Sequence, residues 1–288
     1  MDLNTLLNTP PWEWPEEAGN LLLKSLVDKQ AKESDRLIAA ELAGDLVVMN
    51  DDLANALLMI VGSGDEPEEL RAKAAISLGP VLEQGDIELL DDDEFDDPEA
   101  VPISLDTFHD IQDVLHELYL DESNPKKLRR RILEAAVRAP QDWQTAAIST
   151  AYSSGDKDWM LTAVFAMRWV RGFDDQILEA LESRDPNIHY EAVNAAGGWE
   201  LKAAWPHIVA LVENPSTPKR LLLAAIEAVG NIRPEEAQDI LLDLTDSRDE
   251  EVADAASEAI SMAQARSGEV EGEDEGDEDE GDAGKWIN

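Results

Sequence analysis

His109, Asp113 and His116 stand at i, i+4 and i+7, so a helix through them carries two imidazoles and a carboxylate on one face. Imidazole and carboxylate at helical spacing are the donors a transition metal takes. The apolar residues of that stretch, Ile111, Val114, Leu115 and Leu118, define the opposite face. The histidines therefore face solvent, and a polar surface rather than a metal site is expected. The acidic run Asp91-Asp92-Asp93-Glu94-Phe95-Asp96-Asp97 offers oxygens for calcium. It lacks the spaced ligands, turn glycine and distal glutamate of a calcium loop, and reads as a solvated loop, or as one that meets a basic partner.

Lys126, Lys127, Arg129, Arg130, Arg131 and Arg138 form a basic cluster in an acidic chain. Such a cluster can hold an anion or acidic peptide, or it can balance the neighbouring acidic insert through ion pairs. Basic residues in a first helical turn oppose the helix dipole, so something should compensate them. Trp143, Trp159, Trp169, Trp199 and Trp205 fall in the middle of the chain, with Arg168 and Arg171 among them. Tryptophan and arginine dominate interface hot spots, and tryptophan equally fills cores. Trp159, Arg168, Trp169, Arg171 and Trp199 are the candidate partner-binding residues, joined by Trp286 and Ile287 near the end of the sequence.

No phosphate loop, HExxH, nucleophile elbow or nucleotide-binding glycine motif is present. There is no cysteine, which removes disulfides, thiolate metal sites and a cysteine nucleophile. No catalytic residue, cofactor or metal ligand is expected.

The elements that must carry these residues follow from a repeat. Seven Ala-rich segments recur at a spacing of roughly thirty to thirty-five residues. Arg36 precedes Ala39-Ala40 and Gly44, Arg71 precedes Ala74-Ala75 and Gly79, and Arg131 precedes Ala135-Ala136. Ala163 with Ala166, Ala192 with Ala195-Ala196-Gly197, Arg220 with Ala224-Ala225 and Gly230, and Ala255-Ala256 with Ala259 continue the series. Each segment reads as the second helix of a pair: 16–30 with 35–48, 52–61 with 67–83, 103–120 with 125–139, 142–153 with 156–171, 174–183 with 186–197, 200–213 with 217–231, and 234–245 with 249–265. Pro67, Pro125, Pro186, Pro218 and Pro234 mark helix starts, where a missing N–H costs nothing. One such pair cannot bury its own apolar face, so neighbours must stack.

Three segments, TPKRLLLAAIEAVGNIRPEEAQDILLDL (217–244), DPNIHYEAVNAAG (185–197) and EPEELRAKAAISLG (66–79), resemble the HEAT-repeat family. They are most similar to the short bacterial HEAT-like repeats first associated with phycobilisome lyases. The resemblance implies an all-α, right-handed alpha-alpha superhelix of about seven helix pairs, with second helices on the concave side. It implies a scaffold, adaptor or assembly factor, with a lyase-like or cofactor-handling protein as the alternative. A smaller branch of HEAT-like proteins, the alkylbase DNA glycosylases, lines its concave face with tryptophans and a catalytic aspartate. Asp156 or Asp158 would take that place here.

Charge speaks against the glycosylase. The chain has 64 Asp and Glu against 23 Lys and Arg, a formal charge of -41. Such a surface repels phosphate backbones and anionic membranes alike, and permits a basic protein partner. No stretch approaches the ~20 apolar residues of a membrane span. The start, MDLNTLLNTPPWEWPEE, has no basic region or apolar run, so no signal peptide is expected and a cytoplasmic monomer is the default. Residues 1–15 read as an extended Pro/Trp arm whose Trp12 and Trp14 cover the end of the first repeat, with an exposed docking peptide as the alternative. Residues 16–266 read as the solenoid, as one elongated domain, with an acidic insert at 86–101. Residues 267–288 read as a disordered acidic tail ending in a tryptophan-containing peptide.

Overall fold

The stacked Ala segments are helices, and so is every other regular element among the described residues. A computed structural model of the protein describes residues 2–88 and 101–274. The chain divides into two compact units at Arg171–Gly172, where the repeat period alone leads to one elongated domain. Gly172 has a φ of 95°, a left-handed backbone that glycine takes without strain.

The first unit holds α1 (Leu3–Leu7), the pair α2 (Ala18–Val27) and α3 (Glu33–Leu42), and the pair α4 (Asp51–Gly62) and α5 (Glu68–Ser77). It continues with α6 (Gly79–Glu88), the pair α7 (Leu105–Leu120) and α8 (Lys126–Ala136), and the pair α9 (Asp142–Ser153) and α10 (Lys157–Ala166). The second unit holds three pairs: α11 (Asp174–Ala180) with α12 (Pro186–Gly198), α13 (Trp205–Glu213) with α14 (Lys219–Ile232), and α15 (Pro234–Leu241) with α16 (Glu250–Asp274). Each unit is an α-solenoid in which second helices stack on second helices: α3 on α5 and α5 on α8, then α12 on α14 and α14 on α16.

Small residues make that stacking close. Ala39, Ala74, Ala135, Ala195 and Ala225 are fully buried. A Cβ on Gly44 would lie 2.7 Å from the Ser77 carbonyl oxygen, and one on Gly197 would lie 2.9 Å from Ala228 Cβ. These are crossing points where even a methyl group has no room.

A second device joins the first helix of a pair to the second. Arg36, Arg71 and Arg129 are each the fourth residue of their helix. Each donates from Nε to a carbonyl ten residues earlier: Leu26 at 3.0 Å, Val61 at 2.9 Å and Tyr119 at 2.8 Å. Those oxygens lie at helix ends, where backbone acceptors run out of intrahelical donors. Arg36 reaches on to Glu66, and Arg71 to Asn124 Oδ1 at 2.9 Å, so each arginine also touches the next repeat. The Ala spacing set Arg131 in register with Arg36 and Arg71. The hydrogen bonds set Arg129 there instead, and Arg131 pairs with Glu134.

The N-terminal arm is helical rather than extended over Leu3–Leu7, because the prolines that stiffen the arm begin only at Pro10 and Asp2 caps the turn, accepting from Thr5 N. Leu6 is fully buried, and Trp14 Nε1 donates to Leu6 O at 3.1 Å and Thr9 O at 2.8 Å. Trp12 is 79% exposed, so only Trp14 of the two packs on the arm. The helix expected over 67–83 is two, α5 and α6, parted at Leu78. Of the acidic insert, residues 89–100 lie outside the described residues. The α16 backbone runs to Asp274, past the tail boundary expected at 267, and Trp286 and Ile287 lie outside the described residues.

Candidate protein-binding surface

Trp159 begins as a helix-start residue. Asp156 caps α10 by accepting from Asp158 N at 2.9 Å and Trp159 N at 3.1 Å. The indole then meets Tyr119 edge-on, with ring centroids 6.3 Å apart, and the Arg129 guanidinium lies 5.9 Å from its centroid. Trp143 stacks on His116, with centroids 4.6 Å apart. The helix expected to run to 171 stops at Ala166, so Arg168, Trp169 and Arg171 follow its end and lie on no helix face. Trp169 packs against Phe165, and the guanidiniums of Arg138 and Arg168 lie 5.1 Å and 5.0 Å from its ring. Trp205 is buried, with Arg233 5.1 Å from its ring, and half-buried Trp199 caps α12 in the second unit. Trp159 and Trp169 are half-buried in packing of this kind, and Arg171 is exposed.

The basic cluster is compensated by carboxylates of neighbouring elements and by Glu134 of its own helix. Lys126 pairs with Asp156 and Asp158, Lys127 with Glu69, Arg130 with Asp158 and Glu134, and Arg138 with Glu83. Arg130 also donates to Thr162 Oγ1, which itself donates to buried Glu134. Hydrogen bonds from Lys126 hold the carboxyls of Asp156 and Asp158 below the usual range, so both stay ionised and engaged. On α7, His109 and Asp113 are exposed, and His116 is half-buried under Trp143. Among the described residues no cluster of three histidine or carboxylate side chains has the geometry of a metal site.

The open surface lies in the second unit. The apolar stripes of α12, α14 and α16 face inward, which leaves one side of each helix to solvent at turn spacing. Tyr190 and Asn194 come from α12, Arg220, Leu223 and Glu227 from α14, and Asp254, Glu258 and Met262 from α16. Together they line a groove of about 1170 Å³. Met262 is 59% exposed there.

The cations of the groove are already held. Lys219 pairs with Asp249 at 2.8 Å and Glu251 at 2.6 Å, and these bonds raise its pKa above the ordinary lysine value. Arg266 pairs with Glu200 at 2.5 Å. The Arg220 guanidinium lies 3.7 Å from the Tyr190 ring centroid and 3.9 Å from Glu191 Oε1. Glu227, Glu250, Asp254 and Glu258 carry no ion pair among the described residues. Tryptophan and arginine drew attention to the middle of the chain. In the sequence, the residues of this groove are acidic positions at helical spacing beside the Ala segments of the last two repeats, a pattern any solvated helix face shows.

The family comparison falls on this unit. A family model of HEAT repeats matches residues 175–261, which include most of the groove's lining, and supports a HEAT-repeat array there. No curated protein matches the chain. Among solved structures, human deoxyhypusine hydroxylase in complex with glycerol is similar at a TM-score of 0.40 and 14% identity, over 91% of this chain and 88% of that one. Among the described residues no helix is long and apolar enough to cross a membrane.

Proposed function

We propose that the protein is a non-enzymatic scaffold, adaptor or assembly factor, cytoplasmic and monomeric, that holds a protein partner on its repeat surface. The observation that carries this reading is the groove over α12, α14 and α16, about 1170 Å³ in volume and lined by side chains of three stacked helices. Repeat arrays use such extended surfaces to bind other chains. The formal charge of -41 steers a basic partner toward the surface, raising its encounter rate more than its affinity. Trp286 and Ile287, which follow an acidic run in the sequence, act as a second anchor that adds effective concentration.

Crosslinked capture with the full-length chain and with a version ending at Ser267, at low and high salt, tests this. The captured partner is then purified and mixed with the protein. A complex that re-forms at fixed stoichiometry supports the scaffold reading. Its loss on tail removal or in high salt assigns the contact to the acidic tail, and its retention assigns it to the repeats. Failure of every captured candidate to re-form a complex counts against a scaffold.

A further inference from the structure

We propose that the groove of the second unit takes a short basic segment of the partner, one carrying arginines. This rests on the scaffold reading and adds the chemistry of the ligand. The groove has the two features such a segment needs. Leu223 and Met262 give its lining apolar surface on which the methylene stems of long cationic side chains pack. The same lining carries Glu227, Asp254 and Glu258, which are exposed and have no ion pair among the described residues. Asp254 and Glu258 are four residues apart on α16, a rise of about 6 Å. Side chains on one side of an extended segment recur at about 6.6 Å, so alternate arginines match that interval.

The chain's own residues show how a guanidinium sits in this groove. Arg220 lies over the Tyr190 ring at 3.7 Å with Glu191 at its edge. Arginine stacks on aromatic faces and pairs with carboxylates through a planar fork, which a lysine ammonium does not. The cations that line the groove are each tied to a carboxylate of their own unit, so an incoming cation meets attraction rather than a rival charge. Because the whole chain is acidic, the inference turns on place and not on net charge.

The experiment uses the full-length protein and a labelled peptide of alternating arginine and alanine, with lysine and glutamate versions beside it, read by fluorescence anisotropy. The groove variant combines D254K and E258K. The control combines D239K and D243K, two exposed positions that do not line the groove, with the same change in net charge. The arginine peptide binds more tightly than the lysine peptide, and the glutamate peptide does not bind. The groove variant weakens binding at least about tenfold, and the control by no more than about threefold. A neutral pair, D254N with E258Q, keeps the helix surface closer to native and gives the same order. Equal weakening by groove and control variants, or no binding of the arginine peptide, overturns the inference. If the captured native partner then still forms its complex, the scaffold reading survives that result. Loss of the partner complex as well removes both.

Discussion

Arg36 and Glu66 meet across a repeat joint, with two guanidinium nitrogens 2.5 Å and 2.9 Å from the carboxylate oxygens. Both side chains are 8% exposed. A pair this enclosed is held by mutual need. With Glu66 removed, Arg36 keeps its charge in a low-dielectric setting with one hydrogen bond, to Leu26 O, still made. E66A should therefore destabilise the first unit by about 3 kcal/mol, whereas E41A, which breaks the exposed pair with Lys73, should cost less than about 1 kcal/mol. Urea unfolding of the two variants measures the difference. The hydrogen bond from Arg36, against the opposing cost of burial, sets the Glu66 carboxyl below its ordinary 4.5. The folded form thus prefers the ionised state. Its stabilising effect is complete above that ordinary value and is lost as pH falls through the lowered one. The acid limb of unfolding should be steeper in the parent than in E66A.

Gly197 and Gly198 are adjacent and should respond oppositely to alanine. A methyl on Gly197 would come within 2.9 Å of Ala228 Cβ and 3.0 Å of its Cα, in a helix that cannot yield without moving the stack. G197A should cost about 2 kcal/mol. A methyl on Gly198 meets nothing within 4 Å, so G198A should be neutral or stabilising by up to about 0.5 kcal/mol. Thermal midpoints of the two variants check this, and equal shifts would remove the close-contact account of the repeat.

The same contrast shows what the sequence made legible. Paired alanines at a fixed period are a direct imprint of helix-on-helix packing, so the helix pairs and their buried faces could be read off. Proline at helix starts could be read too, because its constraint is local. Roles set by reach across repeats could not. Asn124 and Thr217 look like N-caps before Pro125 and Pro218. Asn124 instead accepts from Arg71 and donates to Leu118 O, and Thr217 donates to Leu211 O. Asp185, in the same place before Pro186, does cap its helix, accepting from Asn187 N and Ile188 N. Arg129 and Arg131 differ by two residues and by everything that matters to the joint, since one faces the carbonyl of Tyr119 and the other does not. The groove was hidden for a related reason. Which side of a stacked helix stays open depends on the neighbours on both sides, and no single segment records that.

The two tryptophans of the arm separate in the same way. Trp14 ties Pro15 and the start of α2 to α1 through its two acceptors, Leu6 O and Thr9 O. W14A removes the indole from a half-buried site and should detach α1, with a loss of about 2–3 kcal/mol in the first unit. W12A removes a side chain that is 79% exposed and should stay within about 0.5 kcal/mol of the parent. Limited proteolysis reads both at once: cleavage in residues 8–16 should accelerate in W14A and not in W12A.

The fourth helical position, held by Arg36, Arg71 and Arg129 in earlier repeats, is held in α12 by His189. Its Nε2 lies 2.8 Å from Nε2 of His207 on α13, with ring centroids 5.0 Å apart, so the two nitrogens face each other nearly head-on. His207 Nδ1 lies 3.5 Å from Glu182 Oε1, which favours the proton on Nδ1 and leaves Nε2 of His207 to accept from His189. Only one proton fits between the rings. Burial first, then the neighbouring imidazole, push His189 below its ordinary 6.5, with Glu182 opposing. A lowered histidine is neutral in the fold, so its contribution is complete above 6.5 and is lost as pH falls below that value toward the folded one. The thermal midpoint of the second unit should drop between about pH 7.5 and about pH 5.5. The double variant H189Q with H207Q, which keeps hydrogen-bonding side chains and removes the imidazole pair, should drop less. An equal drop in parent and variant would assign the acid sensitivity to the carboxylates and leave the histidine pair as packing alone.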